Sequence, residues 1–116
     1  MSVGRVSMVE FKNEEAINQF SKDYAKEYHA NFPTAEASIA VQTGPTSSLG
    51  VTIYPNEEAV DGSLPARTKF FKEREHLIQM DQSFFYEGKV NFKFLSPTHD
   101  FIKPAEQYKE QVSQLD

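Results

Sequence analysis

Cysteine is missing from the chain altogether, which excludes disulfides and thiolate-held metals. Tryptophan is absent as well. No apolar run comes near the roughly 20 residues that span a bilayer, so no membrane segment is expected. The N-terminus, Met1-Ser2-Val3-Gly4-Arg5, has no apolar signal region and runs straight into a strand pattern. Positive charge is scarce too: Lys and Arg number 12 against 17 Asp and Glu, for a formal net charge of −5. Nucleic acid is therefore not an expected partner, because a phosphate backbone calls for a basic patch. The three histidines, His29, His76 and His99, are scattered and make no metal site. These absences leave a cytoplasmic protein as the default, with no cofactor expected.

Rings are what the chain has. Ten Phe and five Tyr stand in 116 residues of which only 39% are hydrophobic. Each large ring buries about 150–250 Å², so aromatics carry much of the core. A chain of this length is one domain, able to take roughly two thirds of its unfolded surface out of water.

The hydrophobic segments follow the order strand, helix, strand, strand, helix, strand. Val3 to Phe11 carries Val6 and Met8 on one side and Val9 and Phe11 on the other, as a central strand covered twice does. Asn13 is a good N-cap, with Glu14 and Glu15 in the first turn where the helix dipole favours anions. Ile17, Phe20, Tyr24 and Tyr28 then form one apolar stripe, and Phe32-Pro33 ends the helix. Ser38 to Thr43 and Leu49 to Tyr54 make a hairpin across Gly44-Pro45-Thr46-Ser47-Ser48. Asn56 opens a second helical region, which Gly62 and Pro65 should interrupt, giving a short turn and then a helix capped near Ser63. Leu64, Phe70, Phe71, Leu77 and Ile78 form its buried side, and Phe84 to Phe94 is the last strand.

This order is the split βαβ arrangement: an α+β domain whose four-stranded antiparallel sheet has two helices on one face. The domain covers residues 1–95. Residues 96–116 form a tail, either a short helix on the body or a partner subunit, or frayed.

Strand alternation sorts the sheet into two sets of side chains. The cleaner apolar set is Val6, Met8, Ile39, Val41, Leu49, Val51, Ile53, Phe84, Val90 and Phe92, and it is assigned to the side under the helices. The mixed set is Ser7, Val9, Phe11, Ala40, Gln42, Thr52, Tyr54, Phe85 and Asn91, assigned to the open side. Large apolar groups interspersed with amides and hydroxyls suit a ligand cavity or a subunit interface. A second copy of the chain is the simplest cover for them.

Val51-Thr52-Ile53-Tyr54-Pro55-Asn56-Glu57-Glu58-Ala59 and Phe84-Phe85-Tyr86-Glu87-Gly88-Lys89-Val90, in this element order, resemble the dimeric α+β barrel superfamily. That ferredoxin-like group includes antibiotic-biosynthesis and haem-degrading monooxygenases. The resemblance implies a homodimer whose two sheets close face to face, with a pocket in each subunit. The group's oxygenases typically use a first-strand Asn with a Trp and a His. This chain has Ser7 on that strand, no Trp, and His76 as the only counterpart on its second helix.

Glu73 and His76 form a single E-x-x-H pair, half of what a helical di-metal site needs, so no metal is expected. Arg67, Lys69, Lys72 and Arg74 give the second helix a basic side. The expected role is binding of a small apolar or amphipathic molecule, plausibly with an acidic end. Phe11, Tyr54 and Phe85 line its apolar part, and Gln42, Thr52, Asn91 or Arg67 orient its polar part. The alternative is a cofactor-free monooxygenase or related enzyme acting on a polyketide-like or phenolic substrate, with His76 or Tyr54 as acid or base.

Overall fold

Two asparagines start the two helices, and one sheet carries them. The computed structural model describes residues 1–96. Its elements are β1 (Val3–Glu10), α1 (Glu14–Asn31), β2 (Ala37–Gly44), β3 (Ser47–Tyr54), α2 (Glu57–Glu73) and β4 (Phe84–Lys89), with two single 3₁₀ turns between α2 and β4. The expectations for the tail beyond Ser96 lie outside the described residues.

Asn13 Oδ1 accepts the Ala16 amide at 2.8 Å, and Asn56 Oδ1 accepts the Ala59 amide at the same distance. Each cap satisfies an amide that has no partner inside its own helix. The strands lie in the order β2-β3-β1-β4, all antiparallel. This is the ferredoxin-like β-α-β-β-α-β fold, with both helices on one face.

Register fixes what that face holds. Under the helices, Ser38, Thr52, Arg5 and Glu87 stand in one row, and Ala40, Gly50, Ser7 and Phe85 in the next. Val3, Val9, Thr52 and Tyr54 on this side are all buried. The opposite face is a lattice of three rows: Ala37, Ile53, Gly4 and Gly88; Ile39, Val51, Val6 and Tyr86; Val41, Leu49, Met8 and Phe84. None of these side chains is charged. Ile39 is 63% exposed and Tyr86 58%.

The sequence grouped the side chains correctly but put each group on the wrong side. Within the strands, the cleaner apolar set faces away from the helices and the mixed set lies beneath them, while Phe92 and Asn91 fall beyond the end of β4. Purity of apolar pattern is not, in this sheet, the mark of a face under helices. Here it marks a face left open among the described residues, while hydroxyls and a guanidinium are built into the interior.

The second helix also departs from expectation. It runs unbroken from Glu57 to Glu73 with Pro65 inside. Val60, Ser63, Arg67 and Phe70 recur at three- and four-residue spacing as its buried stripe, whereas Leu64 is 44% exposed. Pro65 and Asp61 are exposed, so the carbonyl that the proline leaves without a helical donor sits where water can reach it. Burial of the stripe outweighs one lost hydrogen bond.

The last strand is shorter than expected, ending at Lys89 rather than Phe94. The Val90 amide still donates to the Ser2 carbonyl at 3.0 Å, and Phe92 beyond it is exposed. The core divides in two: Phe11, Ile17, Phe20 and Phe70 centre one cluster, and Val3, Phe32, Tyr54 and Val60 the other.

Candidate functional site

Between the sheet and the helices lies a cavity of about 270 Å³. It exists because the sheet residues beneath it are small. Ser7, Ala40, Ser48 and Gly50 form the floor, and none is long enough to meet the helices. A Cβ on Gly50 would come within 2.9 Å of Ser7 Oγ, so glycine lets that hydroxyl lie flat against the floor. Phe20, Tyr24, Arg67 and Phe71 come down from the helices as the roof, while Phe11 and Phe32 contribute further rings. Ser21 and Ala25 of α1 also border it and are exposed, so the mouth opens beside that helix.

The rings are held by one another. Phe20 lies 5.0 Å from Phe11, 5.2 Å from Phe70 and 5.5 Å from Phe71, centroid to centroid, within the range of favourable edge and tilted contacts. The apolar part of the wall is thus stiff.

Polar groups enter the cavity from three directions. Tyr24 Oη is 3.0 Å from Ser38 Oγ, which is in turn 3.1 Å from Thr52 Oγ1. Burial pushes the Tyr24 pKa above its usual 10.0, against the opposing pull of the Ser38 and Thr52 hydrogen bonds. Tyr24 therefore stays protonated at neutral pH and is a donor, not a base. The folded state holds this proton more tightly than the unfolded chain does. The stability it contributes is complete below the unfolded value near 10.0 and is lost as the pH climbs through the raised folded value. Thermal melts above pH 10 should show a falling midpoint, and in Tyr24→Phe that fall should be shallower than in the parent.

Arg67 is 9% exposed, and its guanidinium carbon lies 5.8 Å from the Phe71 ring centroid. Among the described residues it makes no hydrogen bond or ion pair. Burial, and then the neighbouring charge of Arg5, lower its pKa below the usual arginine range. Arg5 also lines the cavity; its Nη1 is 3.6 Å from a Glu87 carboxylate oxygen, and its buried Nε has no hydrogen-bond partner.

Of the residues singled out in the sequence, Phe11, Thr52 and Arg67 line this cavity. Phe85 shares the sheet face and packs against the roof, 5.6 Å from Phe71. Gln42 shares the face too, but its amide donates to the Gly44 carbonyl at 3.0 Å. Tyr54 is fully buried in the second core cluster, its hydroxyl 3.0 Å from Ser63 Oγ, and does not line the cavity. Its hydrogen bond serves the fold. Asn91 is exposed beyond the end of β4. His76 is exposed in the single turn Glu75–Leu77 after α2, away from the cavity, so the expected E-x-x-H pair is not on one helix. Among the described residues, no three His, Asp or Glu side chains cluster to hold a metal, and no helix is long and apolar enough to cross a membrane.

Arg5 and Tyr24 were missed as site residues. Arg5 shares the alternation of Ser7, Val9 and Phe11, and that parity was the available signal. Tyr24 was read only as part of a packing stripe.

Similar architectures occur among solved structures. SnoaB, a cofactor-independent oxygenase from Streptomyces nogalater, superposes with a TM-score of 0.65 at 13% identity, over 82% of this chain and 98% of its own. A dimeric ferredoxin-like protein from an uncultured marine organism gives 0.65 at 11%, over 82% and 92%. What is shared is the ferredoxin-like α+β fold. A monooxygenase from the gene ActVA-Orf6 of Streptomyces coelicolor, solved with nanaomycin D, gives 0.63 at 10%, again over 82% and 92%. No protein-family model matches the chain, and no curated protein matches it by sequence. At such identities the barrel likeness carries the fold alone, and residue roles must come from this chain.

Proposed function

We propose that this protein is a homodimer that binds a small, ring-bearing, largely apolar molecule inside each subunit, between the helices and the sheet. The observation that carries this is the division of the sheet into two unlike faces. One is apolar across three successive rows, with Ser47 and Glu10 only at its edge, and is uncovered among the described residues; the other is walled by rings and hydroxyls around a cavity. From a strand spacing of about 4.8 Å and a two-residue repeat of about 6.8 Å, the open lattice covers roughly 400 Å². A patch of that size matches the largest that a monomer exposes, which often serve as interaction surfaces, and a second copy presents a matching one. The dimeric ferredoxin-like relative supports this arrangement.

The size of the cavity bounds the guest. An apolar cavity of about 150 Å³ takes up one benzene, so about 270 Å³ suits a molecule of two to three fused rings. Titration with 2-naphthol, followed by its own fluorescence, should give saturable binding in the micromolar range. Ser7→Leu places an isobutyl group on the cavity floor and should weaken binding at least about tenfold, without loss of the folded state. Absence of saturable binding to the parent protein at millimolar ligand would contradict the proposal.

A second reading is oxygenation of a phenolic guest without a cofactor, favoured by the likeness to SnoaB, a cofactor-independent oxygenase, and to the ActVA-Orf6 monooxygenase. The acid or base first considered for it, His76 or Tyr54, is not at the cavity. Tyr24 takes that place as a proton donor. Aerobic incubation with a bound phenol should then give a quinone, one atom of O2 entering the ring and the other leaving as water with two hydrogens of the substrate, and Tyr24→Phe should slow it at least about a hundredfold.

A further inference from the structure

Arg67 occupies a position where the fold calls for an apolar side chain. It belongs to the buried stripe Val60, Ser63, Arg67 and Phe70, and it is 9% exposed. A buried charge is costly unless it is paired and hydrogen-bonded. Nothing among the described residues pairs it, and its guanidinium nitrogens, not sealed in as Arg5 Nε is, open onto the cavity. Its charged neighbour makes matters worse, because Arg5 has the same sign and faces the same cavity. Arg5 is also incompletely used: its Nε is buried without a partner, and its contact with Glu87 is long at 3.6 Å.

We infer that the guest of this cavity is a monoanion whose carboxylate, or equivalent delocalised oxyanion, is held by Arg67 and Arg5. The inference rests on the cavity reading above and names the class of molecule that fits it. Guanidinium forks match planar oxyanions, and bonds between charged partners are the strong ones. Glu87 offsets one of the two positive charges, so a single charge remains to be balanced. A doubly charged phosphate would exceed it. The protonated Tyr24 hydroxyl adds a neutral donor on the same wall. General attraction plays no part, since the chain as a whole carries −5. The rings around Phe20 take the apolar body of the guest, and the arginines take its acidic end.

The test compares 2-naphthoate with 2-naphthamide, two molecules of nearly the same shape that differ in charge. The parent protein should bind the carboxylate roughly 10- to 100-fold more tightly, the span expected of hydrogen bonds to a charged group. Arg67→Met should abolish that preference while leaving naphthamide affinity within about threefold. Its melting temperature without ligand should hold or rise, because an unpaired buried charge has been removed. A purely structural arginine would instead lower the melting temperature, and Arg67→Lys should recover part of the preference. Equal affinity of the parent for both ligands overturns the inference but leaves the cavity reading standing. So does a preference that survives in Arg67→Met. If neither ligand binds, the cavity reading falls and this inference falls with it.

Discussion

Val51→Glu should convert the dimer into a folded monomer. Val51 sits in the middle row of the open lattice, between Ile39 of β2 and Val6 of β1. In the isolated subunit a carboxylate there points to water and costs the fold little. Across a two-fold axis both copies bring the same substitution to the same patch, so two carboxylates must be desolvated together. Removing an ion from water without a partner costs several kcal/mol. The dimer dissociation constant should therefore rise at least about a thousandfold, equivalent to roughly 4 kcal/mol. Sedimentation velocity at micromolar concentration should resolve a dimer for the parent and a monomer for the variant, with unchanged far-ultraviolet circular dichroism. A parent that sediments as a monomer would remove the need for any partner on this face.

Phe20→Ala should be the most damaging single truncation in the subunit. The Phe20 ring is in contact with Phe11, Phe70 and Phe71, which bring together β1, α1 and α2. Removing a buried ring costs about 3–5 kcal/mol, through lost transfer energy and the void left behind. For a domain of this size the thermal midpoint should fall by roughly 10–25 °C. The void would merge with the existing cavity, so a two-ring guest should recover part of the lost stability. If the midpoint moves by less than a few degrees, the cavity wall is not the stiff cluster described here.

The element order was legible because each segment carries its own signal. Asn13 and Asn56 cap their helices where local chemistry says they should. Strand alternation sorted the side chains of the sheet into the right two groups. Which group the helices cover could not be read from strands alone, since burial under a helix and burial under a second subunit leave similar apolar patterns. The deciding signal was in α2, where Ser63 and Arg67 share the stripe of Val60 and Phe70. A helix with polar groups on its inner side belongs over the mixed face of the sheet, not the clean one.

The site was legible in part for the same reason. Strand parity puts Phe11 and Thr52 in the mixed set, and the basic side of the second helix points to Arg67; all three line the cavity. Tyr54 shares that parity but lies past the end of the cavity, where Ser63 takes up its hydroxyl. His76 is the expected counterpart, on the second helix, of the resembled group's histidine, but α2 ends at Glu73 and His76 falls in the exposed turn after it. Position along a strand is invisible to a pattern of period two. Distance from the cavity centre, rather than face, separates Thr52 from Tyr54.

The account turns on which side of the sheet receives the guest. Backbone amide chemical shifts recorded while 2-naphthol is added to the labelled protein test this residue by residue. Shifts concentrated at Ser7, Phe20, Gly50 and Thr52 are the predicted result. Shifts concentrated at Val6, Met8, Ile39 and Val41, with the first group unmoved, would place the guest on the open face and contradict the account.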